Sequence, residues 1–207
     1  MKKYELTAEF IEQWGKKLFR IKALISFGSV EAGELGGYVE KEDNLAQDGD
    51  AWVYGNARVC DDARVCGDAR VYGNARVYGD ARVYGNARVY GDAWVCDNAW
   101  VCDNAWVCGN ARVCDNARVC DNADYLLIGR IGSRFSFTTF FKNKDKGITV
   151  SCGCFLGTIA EFRAKVTDTH GNNKHAKMYN LAADMAELQI LGEEHFDKLN
   201  TNKSEPF

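Results

Sequence analysis

With 207 residues, 46% of them hydrophobic, and a formal net charge of -3, the chain is long enough to bury a core and lacks the basic surplus of a general nucleic-acid binder. No apolar run reaches membrane length and the first ten residues carry no secretory hydrophobic stretch, so the composition predicts a cytoplasmic protein with no membrane partner. Nine cysteines, an odd number with seven at repeat positions, predict thiols in a reducing compartment and no disulfide framework.

Residues 1–46 contain LFRIKAL, a strand-like run, followed by SFGSVEAGELGGYVE, a Gly-rich turn region. They are predicted to form a β-rich N-terminal cap. Without one, the unpaired N–H and C=O groups at the edge of a repeat array invite end-to-end association.

From Val53 to Asp124 one six-residue phrase recurs twelve times without insertion, as VYGNAR, VYGDAR, VCDNAW and VCDNAR. Read as Ala-Arg-Val-Tyr, four residues alternate with a period of two, sending Ala and Val to one face and Arg and Tyr to the other. Ala and Val must face inward, because the opposite choice buries eight arginines. The remaining pair, Gly or Asp and then Asn or Asp, tolerates positive φ or bonds its own backbone, so the chain turns every six residues. A single hexad cannot bury its apolar stripe, so successive sides must stack as a solenoid over residues 47–124, with three sides and eighteen residues per coil.

At that period Arg58, Arg76, Trp94 and Arg112 form one column, and Arg64, Arg82, Trp100 and Arg118 a second. Trp52, Arg70, Arg88, Trp106 and Asp124 form the third. Trp94, Trp100 and Trp106 thus share one coil, flanked by Arg76, Arg82, Arg88, Arg112 and Arg118. This belt is the candidate binding surface for a partner protein, for a homo-oligomer with a trimer favoured, or for a nucleotide held by phosphate pairing and base stacking. The bland alternative is that the ladders stack on themselves, with ten Asp from Asp61 to Asp124 balancing eight Arg. Cys96 over Cys114 and Cys102 over Cys120 read as packing neighbours.

After the repeats, YLLIGRIG, RFSFTTFF and GITVSCGCF read as three strands, the last two joined by the polar connection KNKDK. Thr158 and Glu161 form a capping box opening a helix to about Asp168, and a second helix runs from Asn172 to about Leu191. Residues 125–192 therefore make a small α+β module, and the tail 193–207 loses periodicity and is expected to be flexible. His170, His175 and His195 are the histidines of the chain, and the hexads extrude no loop, which argues against an ordinary His-dependent acyltransferase. Cys152, Cys154, His170 and His175 make a Cys2His2 metal set conceivable, although C-x-C is not the usual zinc-knuckle spacing. No catalytic residue and no cofactor is assigned.

The hexads, aliphatic at position 1 and small at position 5, resemble the hexapeptide repeat of left-handed parallel β-helix proteins, with Tyr or Cys where that family places a small or acidic residue. MKKYELT with GELGGYVE, and the segment from GSRFSFTTFF through SCGCFLGTIAEF to THGNNKH, resemble bacteriophage or prophage hexapeptide-repeat proteins often labelled transferases. The resemblance implies a mainly β protein built on a parallel β-helix, and a non-enzymatic binding or scaffold role that interferes with a host defence system through a host protein or a nucleotide signal. The alternatives are an acyltransferase-like enzyme with its site at a subunit interface and a structural self-assembling component.

Overall fold

The hairpin β1 (Tyr4–Gln13) and β2 (Lys16–Ala23) opens the computed structural model, which describes residues 2–201. Trp14 and Gly15, both at positive φ, make the tight turn that matches the twist of paired strands. The first strand is not evident in the sequence, because its pairing shifts between Leu6 and Phe10 and breaks the alternation. β2 pairs antiparallel with β3 (Leu35–Val39), and β3 pairs parallel with β5 (Arg58–Val59), so the cap's sheet continues directly into the solenoid.

Each hexad contributes one two-residue strand, from β4 (Trp52–Val53) and β5 at every sixth residue to β15 (Arg118–Val119). The strands pair in parallel at a spacing of eighteen, as in Arg58↔Arg76, Arg76↔Trp94 and Trp94↔Arg112. Two N–H groups per hexad donate to the coil above: Arg76 N to Ala93 O at 2.9 Å and Tyr78 N to Val95 O at 3.0 Å are typical. Every hexad Val, and every hexad Ala from Ala57 to Ala117, is fully buried, which makes the prism's interior a stack of small apolar side chains. The corners turn at positive φ, on Gly85 (φ 67) or, in some hexads, on Asp103 (φ 52).

The structure is a parallel β-solenoid of about five turns, followed in the chain by a small helical module. The opening turn begins inside the segment read as cap. A 3-10 turn, Glu42–Asn44, rounds one of its corners. Tyr38 pairs with Arg58, Leu45 with Val65 and Trp52 with Arg70, so two extra residues are accommodated at the next corner, between Leu45 and Trp52. Because N–H groups point toward the next coil, the carbonyls of this opening turn have no coil to accept from. The Lys3 ammonium takes three of them, Asp48, Gly49 and Ala51, at 3.0 to 3.3 Å, and the Tyr4 hydroxyl donates to Leu45 O at 2.8 Å. Burial lowers the Lys3 pKa, against the pull of Asp48, Asp50 and Asp68.

Several expectations are corrected. Trp52 heads its column but is fully buried, because Tyr4 and Phe27 pack edge-on against its indole. Asp124 leaves the third column, whose sheet stops at Trp106, and pairs instead with Lys142 at 2.7 Å. Cys96–Cys114 and Cys102–Cys120 are disulfides where none was expected. In-register pairing one coil apart sets their Cα atoms 4.6 and 4.5 Å apart, within the range a disulfide spans.

The described residues divide into two units after Asn122. The second unit is a four-stranded antiparallel sheet, β16 (Tyr125–Ile131), β17 (Ser136–Lys142), β18 (Ile148–Cys152) and β19 (Phe155–Thr158), with α1 (Ile159–His170) and α2 (Lys174–Leu191). GITVSCGCF is thus two strands, broken at Gly153 (φ 62). Thr158 and Glu161 close the capping box and Asn173 caps α2. Phe140, Val150, Phe162, Val166, Ala183 and Ile190 form the core between sheet and helices. The tail expected to be flexible instead continues as α3 (Glu193–Thr201): Gly192 ends α2, and Glu193 and Glu194 sit in the new first turn, where the helix dipole favours acid. Residues 202–207, the rest of that tail, lie outside the described residues.

Candidate functional site

The repeat register brings the belt residues together as the spacing requires. Trp94 lies between the guanidiniums of Arg76 and Arg112, at 5.0 and 4.6 Å from its ring centre, and Trp100 between Arg82 and Arg118, at 5.3 and 4.1 Å. Trp106 has Arg88 on one face at 4.9 Å. Tyr78, Tyr84 and Tyr90 meet the three indoles edge-on. The belt is therefore not bare aromatic surface: Trp94 and Trp100 are half-buried by their own column, and Trp106 alone of the three is exposed, at 43%. Arg76 also faces Trp14 of the cap hairpin at 5.9 Å.

A second arrangement lies in the C-terminal unit. The β16–β17 turn presents Ser133 and Arg134, the end of β18 presents Cys152 and the turn after it Cys154, and one face of α1 supplies Phe162, Lys165, Val166, Thr169 and His170. With Tyr179 of α2 they enclose a cleft of about 370 Å³. Its lining holds Arg134, Lys165 and His170 and no carboxylate, with Phe155, Phe162 and Val166 as apolar wall. Gly132, at φ 73, lets the first turn reach Tyr179, since a Cβ there would fall 1.8 Å from the Tyr179 hydroxyl. The His170 ring stacks on Tyr179 with centroids 5.8 Å apart.

Burial, reinforced by the adjacent Cys152 thiol, pushes the Tyr179 phenol up to about 12, so it enters the cleft as a hydrogen-bond donor. Thr138 donates to the Cys152 sulfur at 3.2 Å. Of the conceivable metal set, Cys152, Cys154 and His170 line this cleft. His175, at the start of α2, touches the His170 ring at 5.8 Å and keeps a buried Nδ1 with no hydrogen-bond partner. The four do not converge as a ligand group among the described residues. Cys154 sits in the turn rather than on the strand face of Cys152.

Arg134 and Lys165 were not singled out by sequence reasoning. Lys165, Thr169 and His170 lie on one helical face by their spacing, and Arg134 follows a Gly turn, but the four segments that meet here are distant in sequence.

The fold defines the class, a parallel β-solenoid repeat protein. The family model described as "YdcK Beta solenoid repeat" matches residues 63–79, 69–83 and 81–97, so this part of the chain is similar to that repeat. No curated protein matches the chain.

Proposed function

We propose that the protein is a non-enzymatic binding protein in which the solenoid is a rigid scaffold and the cleft of the C-terminal unit takes a small anion with a flat apolar body, the chemistry of a nucleotide. The observation that carries this reading is the cleft's lining, basic at Arg134, Lys165 and His170, aromatic at Phe155 and Phe162, and free of acid. Guanidinium and ammonium groups pair with phosphate, aromatic rings stack on a base, and about 370 Å³ suits a ligand of mononucleotide size. A neutral Tyr179 and the lack of a lining carboxylate to orient His170 favour capture over turnover. Interference with a host defence system, as a phage-type protein, is the part of the proposal that rests on the resemblance of the sequence.

Titration calorimetry with nucleoside monophosphates and with inorganic phosphate tests it. Binding should weaken by about tenfold or more in Arg134→Ala and in Lys165→Ala, the loss of one charge-assisted contact each. Binding unchanged in both variants removes the reading. Cys152 and His170 in the same cleft favour one second reading, group transfer through the Cys152 sulfur. Release of product from a bound acyl or phosphoryl donor, abolished in Cys152→Ser, would decide for it.

A further inference from the structure

The corner after each half-buried position of the hexad is the observation to explain. Every repeat Tyr is followed by Gly, as in Tyr78-Gly79 and Tyr84-Gly85, which suits the positive φ of that corner. Cys66 and Cys108 are followed by Gly as well, so a cysteine does not itself demand another residue there. Yet Asp97, Asp103 and Asp115, each directly after a bridged cysteine, hold φ of 55, 52 and 58, a conformation that glycine adopts more readily than any residue with a side chain. A staple alone has no use for that carboxylate.

Asp61, after Cys60, shows what such a carboxylate does. Asp61 and Glu40 both bind the Lys16 ammonium, so that acidic corner has its cation from the cap hairpin. Asp97 and Asp103 have no ion pair with any side chain among the described residues. One carboxylate oxygen of Asp97 accepts from Asp115 N at 3.3 Å, which fixes its orientation. The sulfurs of Cys96 and Cys114 and a carboxylate oxygen of Asp97 lie within 4.8 Å of one another, and the group Cys102, Cys120 and Asp103 repeats this on the next side of the prism.

We propose that, once reduced, these two groups are binding sites for a thiophilic divalent cation of the zinc type, each offering two thiolates and one carboxylate. A dithiol donor gives two electrons and two protons to each S–S bond and is itself oxidised to a disulfide; the metal ion then displaces the two thiol protons. Tetrahedral zinc with Zn–S bonds of about 2.3 Å holds its sulfurs about 3.8 Å apart, which cysteines on paired neighbouring strands reach by side-chain rotation. Thiolate ligands exclude calcium and magnesium, which take oxygen. The sites are thus closed by oxidation and opened by reduction, and either state ties one coil to the next.

The test is native mass spectrometry of the full chain with added zinc, before and after phosphine reduction and removal of the reductant, with cobalt as an absorbance probe. Reduced protein should carry two zinc ions per chain and show a thiolate-to-cobalt charge-transfer band, and oxidised protein should carry neither. Asp97→Gly with Asp103→Gly keeps a residue suited to the corner and leaves the cysteines in place, so it folds, yet its zinc affinity should fall by at least about tenfold. Reduced wild-type protein that takes no zinc, or the double Gly variant binding it with unchanged affinity, would overturn the proposal.

Discussion

The Arg118 guanidinium lies 4.1 Å from the centre of the Trp100 ring on the strand one coil before it, and donates to Asn98 O at 3.1 Å. The contact is held by strand register rather than by side-chain choice, because Trp100 pairs with Arg118 on one side and with Arg82 on the other. Trp100→Ala removes two cation–π contacts and should lower stability by roughly 2 kcal/mol. A urea midpoint shifted at constant slope is the readout, and an unchanged midpoint would show that the stack is only coincident.

Glycine matters unequally along the chain. A Cβ on Gly85 would meet Asp103 N at 2.9 Å, while one on Gly15, also at positive φ, meets nothing within 4 Å. Gly15→Ala should cost about 1 kcal/mol, the strain of a left-handed alanine. Gly85→Ala adds a collision with the backbone of the next coil, so its thermal midpoint should fall further than that of Gly15→Ala. Equal losses would mean that the corners can slide apart freely.

The two disulfides each close a loop of eighteen residues. In the chain-entropy treatment a loop of that length corresponds to about 3 kcal/mol per bridge. Reduction in metal-free buffer should therefore lower the melting temperature of the wild type, and leave that of a Cys96→Ser and Cys102→Ser variant nearly unmoved. Coincident melting curves of reduced and oxidised wild type would contradict this.

The cap is tied to the repeats by a pH-sensitive junction. Burial opposes ionisation of Asp61, but hydrogen bonds from Lys16 and from Gly79 N–H outweigh it and hold the carboxyl below its ordinary 3.8. Its contribution to stability is full above pH 3.8 and disappears as pH falls through the lowered folded value. Lys16, raised above 10.5 chiefly by the hydrogen bond to Asp61, contributes below 10.5 and loses its share as pH rises beyond that. Chemical denaturation across pH should show both limbs in the wild type, whereas Asp61→Asn should lose the acid limb and keep a reduced alkaline one, because Glu40 still binds Lys16.

How much of this was legible from sequence follows the range of the interactions. The solenoid is local and periodic, so the inward Ala and Val, the turns and the columns through Trp94, Trp100 and Trp106 could all be written down from the hexad. The opening coil escaped because Tyr38 and Leu45 sit twenty residues before their partners rather than eighteen. Register placed Cys96 over Cys114, but composition argued for thiols, and a distance between neighbours does not state an oxidation level. The cleft was hidden for a different reason: Arg134, Cys152, Lys165 and Tyr179 share no spacing, and only the turns at Gly132 and Gly153 bring them together.

The uninterrupted hexad also makes the protein a ruler. Excising residues 70–87 would join Ala69 to Arg88, and every remaining column would still set Val over Val, with the prism shorter by one step of about 4.8 Å. Losing a single hexad keeps the packing but carries everything downstream onto the next face. Because each eighteen-residue block keeps the same inward Ala and Val, the array can gain or lose whole blocks without inventing a new core.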